Sequence, residues 1–329
     1  MAHDITQRAN NMSEIAFTGS RQGIWHGLGQ HMDENSSFED WKVRAGLDWE
    51  VFESTVDYNS VDMQGKIEKH SIPDKRVLFR SDTKDALGIV STDFKIVQPD
   101  QVIEFFRDLV ELHGFKLSTA GSLFGGRRFW ALADVGKSEN VVDTDQIDGH
   151  LLLTTAVDGT MSTQARFTST RVVCNNTLTI ALQGNSSRPV IRITHKKDFD
   201  PTQVKIDMKL IDAGWANFMK NMRSLASKPM SARQTREFFE EQLFDSERLS
   251  HEQTWGVTRE VTRLTDLALG GSGSGYSKGT AYGTLNAITE HYTHGTGKRD
   301  PSRQFWDAYV GHGDSKKQDM YRNLMREIG

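Results

Sequence analysis

The sequence predicts an α+β protein in which a largely antiparallel sheet with one packed amphipathic helix is followed by a helical C-terminal part. Three observations lead to this prediction. Strand-like stretches follow one another between residues 115 and 173, joined by turns that contain glycine. Residues 99–113 place apolar side chains at helical spacing, and helical spacing dominates from Pro201 onward. Because the strands form a run instead of alternating with helices, an antiparallel sheet is favoured.

Length and composition bound the class of protein. The 329 residues are 36% hydrophobic and 26% charged, which is ordinary for a globular chain and too apolar for wholesale disorder. The sequence has no apolar stretch as long as a membrane span and no basic-then-apolar signal region, and Cys174 is its single cysteine. These features predict a cytoplasmic protein with no membrane partner.

The N-terminal half begins with residues 1–22, which we expect to form a flexible arm. Ser37 and Asp40 then make a capping-box-like start to a short helix that reaches about Ala45. Partial alternation of apolar and polar residues predicts the strands that follow. They cover residues 49–61, residues 75–80, and a strand pair or one long bent strand at residues 86–98.

The clearest helix of this half covers residues 99–113. Pro99 suits its first turn, where a missing N–H costs nothing, and Gly114 ends it. In the strand run that follows, Gly125-Gly126 and Asp158-Gly159 are hairpin signals. The run comprises residues 115–124, 127–135, 150–157 and 161–173.

The C-terminal part is predicted to be helical. Helices are expected at residues 204–222, at 232–244 after a Ser231 cap, at 251–269, and in three segments between residues 280 and 328. The glycine and serine content of residues 270–279 predicts a flexible loop. The expected domains are therefore the N-terminal arm, a mixed α/β core at 23–200, and a helical region at 201–329.

Charge is unevenly distributed along the chain, whose net charge is −4. Residues 1–113 hold 12 Lys/Arg against 20 Asp/Glu, whereas residues 151–230 hold 11 Lys/Arg against 5 Asp/Glu. A basic segment inside an acidic protein is typical of a nucleic-acid-binding face. The alternative is that acidic and basic segments neutralise each other in the fold.

Basic side chains on the predicted strands are the candidate nucleic-acid-binding residues. They are interleaved with Ser/Thr hydroxyls and aromatic rings, which are residue types that hold phosphates and stack on bases. Phe129 or Trp130 is the expected stacking ring. The predicted set is Arg127, Arg128, Trp130, Arg166, Arg171, Lys196 and Lys197. The alternative is an ordinary solvated sheet face.

No motif predicts a catalytic residue or a cofactor. Lys278, in the glycine-rich loop, lies between Ser277 and Gly279, so the Gly-Lys-Ser/Thr order of a Walker A loop is missing. Cys174 has no sequence-adjacent base and is interpreted as a buried structural cysteine.

Histidine spacing does not predict a metal site. His251 opens a zincin-like motif, but Trp255 stands where the second histidine is needed. His291 and His294 with Glu290 lack further ligands at a suitable spacing. We therefore expect no metal.

Several motifs, in this order, resemble one family of proteins. They are WHGLG at 25–29, GIVSTDFKIVQPDQVIEFFRDLV at 88–110, AGSLFGGRRFWALA at 120–133, HLLLTTAVDGTMSTQARFTSTRVVCNNTL at 150–178 and AYGTLNAITEHYTH at 281–294. The chain resembles the phage/plasmid-like family catalogued as domain of unknown function 932 over most of residues 23–295. The resemblance implies a gene of a phage, prophage or plasmid, and it supplies no catalytic residues to carry over.

Three classes of function are compatible with these observations. The leading hypothesis is a non-enzymatic single-strand DNA-binding and annealing protein that acts in recombination as a homo-oligomer. The second is a protein that binds or inhibits a host defence factor or a nucleotide signal, which the overall acidic charge favours. The third is a metal-dependent nuclease or nucleotide hydrolase.

Overall fold

The computed structural model describes most of the chain. The described residues are 8, 12–19, 29–171, 176–179, 190–196, 211–244, 251–272, 274–295 and 301–328. Cys174, Lys197, the WHGL segment at 25–28 and the first part of the helix predicted at 204–222 lie outside them.

The described residues form an α+β fold, which confirms the predicted class. The strands are β1 (Ile15–Phe17), β2 (Gln30–His31), β3 (Val51–Val61), β4 (Ile67–Arg80), β5 (Ala86–Ser91), β6 (Lys116–Leu123), β7 (Arg128–Asn140), β8 (Gln146–Ala156), β9 (Thr163–Arg171), β10 (Asn176–Thr179) and β11 (Val190–Ile193). The helices are α1 (Phe38–Arg44), α2 (Pro99–His113), α3 (Ile211–Ser227), α4 (Ala232–Leu243), α5 (His251–Gly270), α6 (Ala281–Glu290), a π-helical turn (His291–Gly295), α7 (Pro301–Tyr309) and α8 (His312–Ile328).

The strands form two sheets. In the first, the strand order is β10-β9-β8-β7-β6-β1-β2, and β11 also pairs with β9. The second has the order β3-β4-β5. The pairs β1–β6, β6–β7, β9–β10, β9–β11, β3–β4 and β4–β5 are antiparallel, whereas β1 and β2 are parallel. The predicted, largely antiparallel sheet is therefore confirmed.

The chain divides into two compact units. Unit 1 comprises the described residues within 1–136, 151–166 and 190–209, and unit 2 comprises those within 137–150, 167–189 and 210–329. Unit 2 joins the C-terminal helices to two earlier stretches of the chain, so the division differs from a single boundary at residue 200. In unit 1, residues 15–17 of the expected arm form β1, which pairs with β6.

Local sequence signals set the helix ends. Ser37 and Asp40 form the predicted capping box, with the Asp40 N–H donating to Ser37 Oγ at 3.1 Å. Ser231 caps α4 in the same way. Pro99 lies in the first turn of α2, and Gly114 ends it with φ +69°, a left-handed conformation that glycine adopts without strain. These predicted helices are confirmed.

Two strand predictions differ from the structure. Within residues 86–98 only Ala86–Ser91 is a strand, because the Phe94 N–H donates to the Ser91 carbonyl and turns the chain. Phe94 and Val97 lie in an irregular segment after this strand, and both are buried. Their spacing in the sequence resembles the alternation of a strand. β4 begins at Ile67 instead of residue 75, because its first half pairs with β3 in a ribbon of mostly exposed residues that hide the alternation.

An ion-pair cluster links α2 to Lys42 of α1. Glu104 accepts hydrogen bonds from Arg107 (2.6 and 2.8 Å), and Lys42 Nζ lies 2.6 Å from its Oε1. These hydrogen bonds, the Arg107 ones first, lower the Glu104 pKa to about 2. A depressed folded-state pKa contributes stability that is present above the unfolded pKa of a Glu and is lost as the pH falls toward 2.

We therefore expect Glu104→Gln to destabilise the protein near pH 6 by up to about 1 kcal/mol, since the cluster is partly exposed. The difference from wild type should vanish as the pH approaches 2. Urea unfolding at several pH values measures it, with Glu50→Gln, an exposed glutamate outside this cluster, as the control. A pH-independent effect of Glu104→Gln would contradict the assignment.

The helices of unit 2 bury apolar faces against one another. In α3, Trp215, Phe218, Met219 and Met222 are buried on one side at helical spacing. The part of the glycine-rich loop that is described forms a 3₁₀ turn at Ser274–Tyr276. Among the described residues, no helix has the length and apolar character needed to cross a membrane.

Candidate functional site

The turn between β8 and β9, residues 157–162, positions two of the predicted arginines in unit 1. The Val157 N–H donates to the Arg127 carbonyl at 2.9 Å, and Arg128 Nη2 donates to Thr160 Oγ1 at 3.4 Å. Asp158-Gly159 makes the turn, as predicted, with Gly159 at φ +77°. Arg127 is exposed, whereas Arg128 is half-buried with its guanidinium 5.0 Å from the Phe124 ring centre. Burial lowers the Arg128 pKa, but an arginine remains charged at pH 7.

A second junction in unit 1 brings Lys95 and Lys196 together. The Lys95 N–H donates to the His195 carbonyl at 2.5 Å, and His195 Nδ1 donates to the Lys95 carbonyl at 2.9 Å. The His195 ring stacks on Phe94, with 4.2 Å between ring centres. Burial lowers the His195 pKa, which favours the neutral ring at pH 7. Both lysine side chains are exposed beside this fixed junction.

A cavity of about 630 Å3 opens at this junction. Its cationic lining residues are Arg76, Lys95 and Lys196, and its acidic ones are Glu53 and Asp93. Arg76 is paired with Glu53 and also donates to the Phe94 carbonyl. Lys95 and Lys196 are the other cationic residues of this lining, and Asp93 partly offsets their charge.

The two junctions are neighbours within unit 1. His195 lies near the backbone of Met161 and within electrostatic range of Asp158, both in the β8–β9 turn. A Cβ at Gly88 would stand 2.8 Å from the Asp158 Cα, so β5 packs directly on that turn. We name Arg127, Arg128, Lys95 and Lys196 the turn surface.

The structure places the other predicted residues elsewhere. Arg166 is 5% exposed and donates to Gln164 Oε1 at 2.8 Å. Phe129 and Trp130 are fully buried, so in this fold neither ring presents a face to a base. Arg171 ends β9 opposite Asn176, and Lys197 lies outside the described residues.

Sequence reasoning missed Lys95. It is a single lysine in an irregular segment of the acidic N-terminal half, about a hundred residues from Lys196. No local pattern marks it, because its role depends on the backbone pairing with His195.

A separate polar cluster lies in unit 2, at the π-helical turn. Tyr292 Oη donates to Glu260 Oε1 at 2.7 Å, and His291 Nε2 lies 3.3 Å from the same oxygen. Hydrogen bonds from His291 and Tyr292 lower the Glu260 pKa, while burial beside Glu260 raises the Tyr292 pKa. Lys317 is fully buried, with Nζ 3.4 Å from Thr293 Oγ1. π-helical turns are frequent at functional sites.

His291 thus contacts the Glu260 carboxylate of α5. The spacing of His291, His294 and Glu290 along the sequence does not reveal this contact. Within the described part of the chain, no three His, Cys, Asp or Glu side chains converge as metal ligands would.

The fold and these sites define an α+β protein with an antiparallel sheet, a cationic surface in unit 1 and a buried polar cluster in unit 2. A family model described as a domain of unknown function (DUF932) matches residues 86–317, and the chain belongs to this family. This match confirms the resemblance to domain of unknown function 932 that the motifs indicate. A search of curated proteins and a search of solved structures each returned no match.

Proposed function

We propose that the protein binds single-stranded DNA through the turn surface and promotes annealing of complementary strands without catalysing a reaction. The observation that carries the proposal is the convergence of Arg127, Arg128, Lys95 and Lys196, from three separate segments, around one turn of unit 1. Guanidinium and ammonium groups are the usual partners of phosphate oxygens. The resemblance to phage and plasmid proteins suits a role in recombination.

The shape of this region favours a single strand. The lysines line a concave cavity, and the arginines lie at the adjacent turn. A flexible single strand can enter such a concave surface, whereas duplex DNA is stiff and presents its phosphates on a convex cylinder. The hydroxyl group of Thr92 lines the same cavity and can donate a further hydrogen bond there.

The negative net charge of the chain lowers the affinity for DNA that we expect. The net charge is −4, and Asp93 lines the same cavity as the two lysines. Binding should therefore be local and steeply dependent on salt. A strand longer than one turn surface requires several copies of the chain, so the proposal includes a homo-oligomer acting in the cytoplasm of a bacterial host.

The double variant Lys95→Ala/Lys196→Ala tests the proposal. We expect binding of labelled single-stranded DNA to weaken roughly tenfold at low salt, and the slope of log affinity against log salt to fall by about 1.4, because two phosphate contacts are lost. Fluorescence anisotropy across a salt series measures both quantities, and a strand-pairing assay with complementary oligonucleotides measures annealing.

The matched control is Lys66→Ala/Lys69→Ala, which removes the same charge from two exposed lysines, one just before β4 and one within it. It should leave affinity and slope close to wild type. Equal losses in both variants would show a nonspecific charge effect, and an absence of wild-type binding at low salt would sink the proposal.

A further inference from the structure

The three-stranded sheet of unit 1 has one face covered by the protein and one face turned to solvent. Side chains alternate between the two faces along each strand, and residues paired across strands share a face. Val51, Arg80 and Val90 point to the inner side, and all three are buried. Phe52 and Ile89 point to the outer side, and they are 42% and 60% exposed. The outer face is therefore apolar although water covers it.

Apolar and aromatic side chains form a continuous stripe along this outer face. Four pairs of residues from β3 and β4 make the stripe, and Ile89 of β5 widens it. An aromatic pair stands at each end. The Phe52 and Phe79 rings meet edge to face with 6.0 Å between their centres, and the Tyr58 ring stacks on the His70 ring at 5.1 Å. We name the apolar members the ribbon stripe, which comprises Phe52, Val56, Tyr58, Ile72, Phe79 and Ile89.

The ribbon stripe has the area and composition of a protein contact. Phe52, Tyr58, Ile72 and Ile89 are between 36% and 60% exposed, which leaves on the order of 400 Å2 of largely apolar surface in water. The four strand pairs contain no Lys, Arg, Asp or Glu, and Lys84, with Nζ 5.7 Å from the Phe52 ring centre, lies at the rim. A charged partner such as a nucleic-acid strand finds no counter-charge on the stripe, whereas a second apolar surface fits it.

The outer half of the ribbon lacks a third strand. β5 pairs with β4 only over residues 75–79, so residues 56–61 and 67–72 pair with each other and with no other strand in the part of the chain that the structure describes. A two-stranded ribbon that water covers on both faces is marginally stable. Packing the apolar face against another sheet would stabilise it.

We propose that two copies of the chain form a dimer by packing their ribbon stripes face to face about a two-fold axis. The stripe runs about 20 Å from Phe52 to Tyr58, at about 3.3 Å per residue. An axis over its middle places the Phe52 end of one copy against the Tyr58 end of the other, so aromatic rings meet at both ends. The aliphatic side chains of Val56 and Ile72 lie beside the axis.

The area of such a contact is sufficient for a stable dimer. Two ribbon stripes together bury about 800 Å2, and the polar rim raises the total toward the roughly 1,200 Å2 at which specific interfaces begin. Packed sheets stand about 10 Å apart, which leaves room for one interdigitated layer of these side chains.

The dimer leaves the lysine cavity accessible. Glu53 and Arg76 line the cavity with Lys95 and Lys196, and alternation puts Glu53 and Arg76 on the inner face of β3 and β4, away from the ribbon stripe. The proposal thus supplies a contact for the homo-oligomer that the proposed function includes. The contact itself requires no DNA, so either proposal can fail without the other.

Sedimentation velocity of the full-length chain in the absence of DNA tests the contact. We expect wild type to be mainly dimeric at about 10 μM and Ile89→Glu to be monomeric at the same concentration, because the dimer would bury an unpaired carboxylate. The dissociation constant of the dimer should rise at least about tenfold. Tyr58→Glu should act in the same way from the other end of the stripe.

The matched control is Ile67→Glu, the same substitution at a side chain that is 66% exposed on the opposite face of the ribbon, and it should remain dimeric. All three replaced side chains are more than half exposed in a single copy, so circular dichroism should show each variant folded. The Lys95→Ala/Lys196→Ala variant should also stay dimeric, which separates this contact from the proposed DNA surface.

Three results would overturn the dimer. The first is a wild-type chain that sediments as a monomer at about 100 μM. The second is dissociation of Ile67→Glu to the same extent as Ile89→Glu. The third is a Tyr58→Glu or Ile89→Glu variant that remains as dimeric as wild type, including one that loses only the binding of single-stranded DNA.

Discussion

Replacing Glu14 by Gln is expected to destabilise unit 1 by about 3–5 kcal/mol, which is the usual cost of breaking a buried ion pair on one side. Glu14 is 1% exposed and accepts hydrogen bonds from Arg80 Nη1 (3.0 Å), Arg80 Nη2 (2.6 Å) and Ser122 Oγ (2.7 Å). The Arg80 guanidinium also stacks 4.1 Å from the Trp49 ring centre. A neutral amide leaves this buried guanidinium with its charge only partly compensated by Asp82.

The surroundings of Glu14 leave little room for relaxation. A Cβ on Gly46 would stand 2.4 Å from the Glu14 side chain, and one on Gly121 would stand 2.6 Å from the Glu14 carbonyl oxygen. Because the interior is packed this closely, neighbouring groups cannot rearrange to replace a lost interaction. We therefore expect the full free-energy cost of that loss. The Arg80 guanidinium, which is 1% exposed, therefore cannot reach water when the carboxylate is replaced.

Urea denaturation of wild type and Glu14→Gln measures the effect. Glu68→Gln is the matched control, because Glu68 pairs with Lys66 at the surface, where such a pair contributes about 0–1 kcal/mol. If Glu14→Gln and Glu68→Gln unfold at the same urea concentration, the buried pair is not a major source of stability. A double-mutant cycle with Arg80→Met should give a coupling energy well above that of the surface pair.

In unit 2, Trp215→Ala is expected to cost about 3–5 kcal/mol, the usual range for removing a buried aromatic side chain. Trp215 is 4% exposed, its ring lies 6.1 Å from that of Phe167 and 5.9 Å from that of Phe218, and Nε1 donates to Glu139 at 2.7 Å. A Cβ on Gly149 would stand 3.2 Å from the indole, so strand β8 also contacts the ring. The substitution leaves a cavity where helix and strands meet.

Trp255→Ala is the matched control for this prediction, since it makes the same substitution at a tryptophan that is 66% exposed. A surface substitution of this kind changes stability by about 0.5 kcal/mol or less. Thermal unfolding followed by circular dichroism compares the two variants, and Trp215→Phe should fall between wild type and Trp215→Ala because it keeps most of the apolar contact. Equal melting temperatures for the two alanine variants would contradict the assigned core position.

Local structure was predictable wherever a few neighbouring residues carry the signal. The Ser37 and Ser231 caps, Pro99 at the start of α2 and Gly114 at its end act within one helical turn, so their physics is present in the sequence itself. The turn at Asp158-Gly159 belongs to the same class. Together with the run of strands, these signals determined the α+β class and most helix positions.

Which face of a strand is covered was decided only by the tertiary structure. Alternation along β9 shows that Arg166 and Phe167 point to opposite sides, but both are buried in the folded chain. For the same reason, Trp130 is part of the core and not of a stacking surface. A period of two cannot reveal that neighbouring elements cover both sides of a sheet.

The candidate sites depend on contacts between residues far apart in the chain. Glu14 meets Arg80, Lys95 meets His195, and Tyr292 meets Glu260, and none of these pairs is linked by a local pattern. The sequence by itself determined the family, the fold class and the helices, because those follow from short-range propensity and motif order. The positions of the charged groups were decided by tertiary structure, because only the order of strands and the packing of helices brings distant side chains within hydrogen-bond range.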